Sequence, residues 1–106
     1  KVSIVLFDDF TTLDVFGPVQ AFGSCFTEKD GKREQLFQIT TCALNKSPVR
    51  SFEGQVIAID ETFDEIIQNN NYSGDIILIP GGLGTRKLAT NANFISKLHQ
   101  LLDKFK

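Results

Sequence analysis

Two short apolar runs constrain this chain more than any other feature. Val2-Ser-Ile-Val-Leu-Phe7 and Asp75-Ile-Ile-Leu-Ile79 are almost continuously apolar and rich in β-branched residues. Each breaks off into a turn signal, Asp8-Asp9 in the first case and Pro80-Gly81-Gly82 in the second. A strand with one wet face alternates polar and apolar residues. A short run without alternation marks a strand covered on both faces, the pattern of a parallel sheet. Parallel neighbours need crossover connections, so helices must lie between the runs. The expectation is an α/β fold, a three-layer sandwich around a mostly parallel sheet.

The intervening sequence supplies those helices. Thr11-Thr12-Leu13-Asp14 reads as a helix start, with Thr11 as N-cap and Asp14 three residues on. Gly17-Pro18 predicts a break, Pro18 opening a second helical piece through Val19, Ala21 and Phe22 to Gly23. Residues 27–35 mix both charge signs and read as a solvated loop. Leu36 to Leu44 reads as a strand, with Leu36, Thr40, Cys42 and Leu44 on one face. Residues 48–51 and 55–59 flank Gly54 as a small hairpin. Thr62-Phe-Asp-Glu65 spells a capping box that opens a short helix, and residues 69–74 form a loop. Phe94, Leu98, Leu101, Leu102 and Phe105 recur at helical spacing, with Lys97, His99, Gln100, Asp103 and Lys104 on the opposite face.

Composition narrows the class. A chain of 106 residues forms at most one domain. With 42% hydrophobic and 23% charged residues it is neither disordered nor a collagen-like repeat. A net charge of −2 creates no basic field, so no direct nucleic-acid contact is expected from this segment. No apolar run approaches the ~20 residues of a membrane span. Two cysteines without a signal peptide exclude a disulfide scaffold and suggest a reducing, cytoplasmic setting. The absence of methionine, and a final helix with no tail after it, suggest a piece of something longer.

Ligands of open α/β sheets bind beyond the carboxyl ends of the strands. Two segments hold that position: the turn carrying Asp8, Asp9 and Asp14, and Pro80-Gly-Gly-Leu-Gly-Thr-Arg86. Glycines there let backbone approach a ligand, and free N–H groups can hold an anion or oxyanion. Asp14 equally suits a helix N-terminus, and Gly81-Gly82 a tight turn. The stretch is not a Walker phosphate loop, and a dinucleotide fingerprint fails at Lys87. Asp60, Glu61, Asp64 and Glu65 suit the first turn of a helix better than a cation. His99 reads as a surface residue, Cys42 as a small core residue and Cys25 as partly exposed without a basic partner. The residues alone thus define one carboxylate and a glycine cradle between two loops, with no cofactor, no metal and no nucleophile.

These motifs carry a resemblance. Leu13-Asp14-Val15-Phe16-Gly17-Pro18 with Ala21-Phe22 resembles the amino-terminal signature of the ThiJ/PfpI family, within the class I glutamine-amidotransferase-like superfamily. Asp75-Ile-Ile-Leu-Ile-Pro-Gly-Gly82 followed by Gly84-Thr85-Arg86 resembles the same family's second signature. The Leu-Asp-x-x-Gly-Pro form is most similar to the isocyanide hydratase branch and to ligand-sensing domains of AraC-type regulators. The resemblance implies a flavodoxin-like sandwich with a cysteine nucleophile on a strained elbow, Asp14 beside it, and Gly81 and Gly82 in the oxyanion hole. That elbow would follow a strand beyond the last helix, so neither Cys25 nor Cys42 corresponds to it. Residues 1–106 are then expected to be the amino-terminal portion of one such domain and to need a carboxyl-terminal half or a second chain. They should expose an apolar edge at residues 76–79 and an uncovered stripe on the last helix.

Two functions follow from the resemblance. One is a cysteine-dependent hydratase or amidase acting on a small molecule, its full domain a homodimer. The other is a non-catalytic sensor that binds a ligand in the same cleft.

Overall fold

The computed structural model describes residues 1–105; Lys106 lies outside them. Val2–Val5 form β1 and run into Leu6 and Phe7, and all six residues are buried. Parallel strands flank β1 on both sides: β4 (Ile39–Ala43) in register Val2 to Ile39, and β8 (Ile76–Leu78) in register Val2 to Ile76. The short β7 (Glu61–Thr62) adds parallel to β4, giving the order β7-β4-β1-β8. The expected mostly parallel sheet is therefore present, and the fold is the flavodoxin-like α/β class.

Topology fixes the layers. The chain leaves β1 through α1 (Thr12–Gly23) and returns at β4 on one side. It leaves β7 through α2 (Phe63–Gln68) and crosses to β8 on the other side of β1. Right-handed crossovers in opposite directions put the two helices on opposite faces. Then α3 (Gly84–Leu88) and α4 (Ala92–Leu102) complete the chain, with α4 against α2. Phe63 and Phe94 meet with ring centres 5.6 Å apart, and Phe94 also meets Phe7 edge-on.

The local signals hold where they are local. Thr62 Oγ1 accepts the N–H of Glu65, as the capping box requires, and Asn91 caps α4 by accepting from Phe94 N–H. The small hairpin is β5 (Val49–Arg50) paired antiparallel to β6 (Val56–Ile57). Cys42 is fully buried in β4, a strand shorter than the expected Leu36–Leu44.

Three expectations are corrected. Residues 27–35 are not a loop: Phe26–Lys29 (β2) and Lys32–Gln35 (β3) pair antiparallel around Asp30-Gly31. Both turn residues have positive φ, 54° and 76°, the geometry of a primed hairpin turn, and Asp-Gly is its preferred spelling. Polarity on both faces concealed the strands. Secondly, α1 is one helix with Pro18 inside it. Pro18 costs the bond to the carbonyl of Asp14, about 3 kcal/mol in an ordinary helix. Val15 and Val19, one turn apart, pack into the core and hold the helix together across it. Thirdly, the α4 stripe is largely covered, with Phe94 and Leu101 buried and Leu98 packed against the core. The expected apolar edge is real: among the described residues β8 pairs only with β1, and Ile76 and Ile79 are 36% and 48% exposed.

Candidate functional site

In a doubly wound sheet the chain departs in opposite directions from the strands either side of one crevice. Here that crevice lies between the carboxyl ends of β1 and β8. The loop after β1 carries Asp8, Asp9 and Asp14, and the loop after β8 carries Gly81, Gly82 and Gly84. The topology thus brings both sequence-predicted segments to one place.

They are stitched together. Thr11 N–H donates to the Gly81 carbonyl at 2.9 Å, and Gly84 N–H to the Asp9 carbonyl at 3.3 Å. The Asp14 carboxylate does not complete its own helix start. Its Oδ2 accepts the N–H of Gly81 at 3.0 Å. This bond uses the Gly81 donor, while the Gly82 N–H meets no acceptor among the described residues.

The glycines are sterically required. A Cβ on Gly84 would fall 2.0 Å from the Asp8 carbonyl oxygen. On Gly82, at φ 139°, it would fall 2.5 Å from the Asp9 carbonyl oxygen. Asp9 itself has φ 63°, an uncommon conformation for a residue with a side chain.

Sequence reasoning missed Glu53, on the turn between β5 and β6. Thr11 sits at the N-cap of α1 but makes no side-chain cap bond. Instead, Glu53 Oε1 accepts from Thr12 N–H at 3.0 Å and lies 2.7 Å from Thr12 Oγ1. The Thr12 N–H, followed by its side-chain hydroxyl, holds the Glu53 carboxyl below its ordinary range.

The other candidates lie elsewhere. Cys25 follows the far end of α1, about 16 Å from Asp14 by helix rise, and its Sγ–H donates to the Ala21 carbonyl. Burial, reinforced by the Glu61 carboxylate, pushes the Cys42 thiol up to about 12. The buried Cys42 is therefore not an activated nucleophile. Asp60, Glu61, Asp64 and Glu65 each meet separate partners, on Thr41, Lys1, Lys97 and Lys46 respectively. No cluster of three metal-ligating side chains occurs among the described residues. His99 lies in the last turn of α4.

A cavity of about 260 Å³ opens at the carboxyl ends of β1 and β4 between Asp8, Asn45, Ser47 and Pro48, over Phe7 and Phe94. Asp14 and the glycine pair are not in its lining. The stitched crevice, where the hydrogen-bonding groups converge, is the better candidate for chemistry.

A family model matches residues 1–106 as the DJ-1/PfpI family. The chain belongs to that family. Its fold resembles a ThiJ/PfpI family protein from Pseudomonas syringae, with TM-score 0.74 and 24% identity, over 99% of this chain and 38% of that one. It also resembles a thiJ/pfpI family protein from Bacillus anthracis, with TM-score 0.68 and 18% identity, over 100% of this chain and 47% of that one. A DJ-1 superfamily protein from Agrobacterium tumefaciens gives TM-score 0.61 and 20% identity, over 96% of this chain and 47% of that one. The chain thus spans less than half the length of these structures. No curated protein matches it. Among the described residues no helix is long and apolar enough to cross a membrane.

Proposed function

We propose that residues 1–106 furnish the carboxylate and the glycine cradle of a cysteine-dependent hydratase or amidase acting on a small molecule. The observation that carries this reading is the Asp14–Gly81 bond at the β1–β8 crevice, beside a Gly82 N–H with no acceptor among the described residues. In this reading the nucleophile is a cysteine outside residues 1–106, from the remainder of the full-length protein or from a second chain. Its thiolate adds to an electrophilic carbon, and the displaced electron pair moves onto the attached heteroatom. The Gly82 N–H meets that developing charge, and Asp14, fastened through one oxygen, orients or protonates. For an isocyanide, the attacked carbon takes a proton to give a thioimidate. Water then adds to that carbon, nitrogen is protonated, and collapse releases the thiol and a formamide, a net addition of one water. For an amide, the amine leaves first and water releases the acid. The chemistry uses no cofactor.

A second reading is a ligand-sensing domain of a transcriptional regulator. The cavity over Phe7 and Phe94 supports it, being able to hold a small molecule with no nucleophile present. In either case the full domain is proposed to act as a cytoplasmic homodimer. Exposed Leu13 and Phe16 on α1 and Phe52 on the neighbouring hairpin support the association, and the unpaired thiols suit a reducing compartment. The deciding experiment incubates the purified full-length protein with an aryl isocyanide and with small primary amides, following products by mass spectrometry. Formamide or acid production supports the enzyme. Saturable binding without product selects the sensor.

A further inference from the structure

We propose that Glu53 is a positioning residue for Asp14: from the β5–β6 turn it holds the first turn of α1, and with it the Asp14 carboxylate, against Gly81. This rests on the reading of Asp14 and the glycine pair as the reactive cradle.

The segment from Asp8 to Asp14 is held from two sides. On one side are the glycine-loop bonds, Thr11 to Gly81 and Gly84 to Asp9. On the other side the hairpin is strapped along the same segment. Asp9 N–H donates to the Arg50 carbonyl at 2.9 Å, Phe52 N–H to the Phe10 carbonyl at 2.9 Å, and Arg50 N–H to Asp8 Oδ1 at 3.1 Å. Glu53 and Ser51 extend these straps to Thr12, the first residue of the helix, and Glu53 takes the Thr12 backbone N–H as well as its hydroxyl.

Its bonds are of the strong kind. Thr12 Oγ1 lies 2.7 Å from both Glu53 Oε1 and Ser51 Oγ. The Thr12 hydroxyl has one proton for two acceptors, and the anionic oxygen holds it more strongly. Ser51 is itself buried, and its Oγ accepts the N–H of Gln55, which ties the arrangement to the base of the hairpin. Among the described residues the Thr12 N–H has Glu53 as its acceptor, because Thr11 gives no side-chain cap. By contrast α2 and α4 are capped by their own Thr62 and Asn91. Asp14 stands two residues after Thr12, so slack in this turn passes directly to its carboxylate.

The test uses the full-length protein and reads hydrogen exchange at the Gly81 amide, with the β1 amides as the control for folding. Glu53→Ala should speed Gly81 exchange about tenfold, the scale of a lost helix cap. Glu53→Gln keeps an acceptor oxygen and should restore protection to within about threefold of wild type. β1 amides should stay unchanged in both. Unaltered Gly81 exchange in Glu53→Ala, or equal loss in the Ala and Gln variants, overturns the proposal. If Glu53→Ala also exposes β1, Glu53→Asp replaces it, the shorter side chain drawing the carboxylate back from both Thr12 donors; unchanged Gly81 exchange there overturns the proposal too. Wild-type turnover in Asp14→Ala would instead defeat the site reading, while the exchange comparison still decides whether Glu53 sets the Asp14–Gly81 bond.

Discussion

The carboxylate of Asp14 and the main-chain N–H of Gly81 lie 67 residues apart in sequence and 3.0 Å apart in space. That bond closes the crevice at which the strand order β4-β1-β8 changes direction. It converts two loops, each unremarkable alone, into one surface that carries a carboxylate and an open backbone donor.

The close approach of these loops predicts a sharp contrast among glycine variants. Gly84→Ala must push its methyl group into the Asp8 carbonyl, so a loss of about 2–3 kcal/mol is expected, or failure to fold. Gly17, inside α1, meets only Leu13 Cδ1 at 3.9 Å. Gly17→Ala should therefore stabilise the chain by about 0.5–1 kcal/mol through helix propensity. Urea denaturation of the two variants checks both signs.

Acid should weaken the helix cap in a defined direction. The folded-state pKa of Glu53 lies below its ordinary 4.5, so folding favours the carboxylate. Its contribution is fully present above that ordinary value and is lost as pH falls through the lowered one. The stability difference between wild type and Glu53→Gln should be constant near neutrality and shrink below roughly pH 4.5. A difference that grows on acidification would contradict the assigned bonds.

The two thiols should differ widely in reactivity. Cys42 is buried with its pKa pushed up to about 12, whereas Cys25 is partly exposed. Iodoacetamide at pH near 8 should label Cys25 in the folded chain and reach Cys42 only after denaturation. Mass spectrometry of the native reaction, read by peptide, checks the assignment.

The edge of β8 should make residues 1–106 self-associate when they are produced alone. Ile76 and Ile79 are exposed at the outer edge of the sheet, and Leu83 and Ile95 are further exposed apolar residues. Light scattering should show oligomers that Ile79→Lys reduces. A monodisperse wild-type monomer would contradict this account of the edge.

Legibility in the sequence followed the range of each cause. The β1 and β8 runs, the Thr62 cap and the α4 stripe are local patterns, and each is found where its pattern lies. Pro18 misled because the rule for proline is local while Val15 and Val19 pack against the core. The β2–β3 hairpin lacks an apolar face, so only Asp30-Gly31 signalled it. Asp14, Gly81 and Gly82 stand just past strand ends in the sequence, but the contact between Asp14 and Gly81 belongs to the topology. Glu53 left no signal, because the helix start it caps is 41 residues away.

The most direct test is the turnover of Asp14→Ala in the full-length protein, on whichever isocyanide or amide the wild type converts. With melting temperature and the β1 amides showing an intact fold, kcat/KM should fall by about 100-fold or more, the scale of a lost acid–base or orienting group. Turnover close to wild type in a folded Asp14→Ala protein would contradict the role given to this carboxylate.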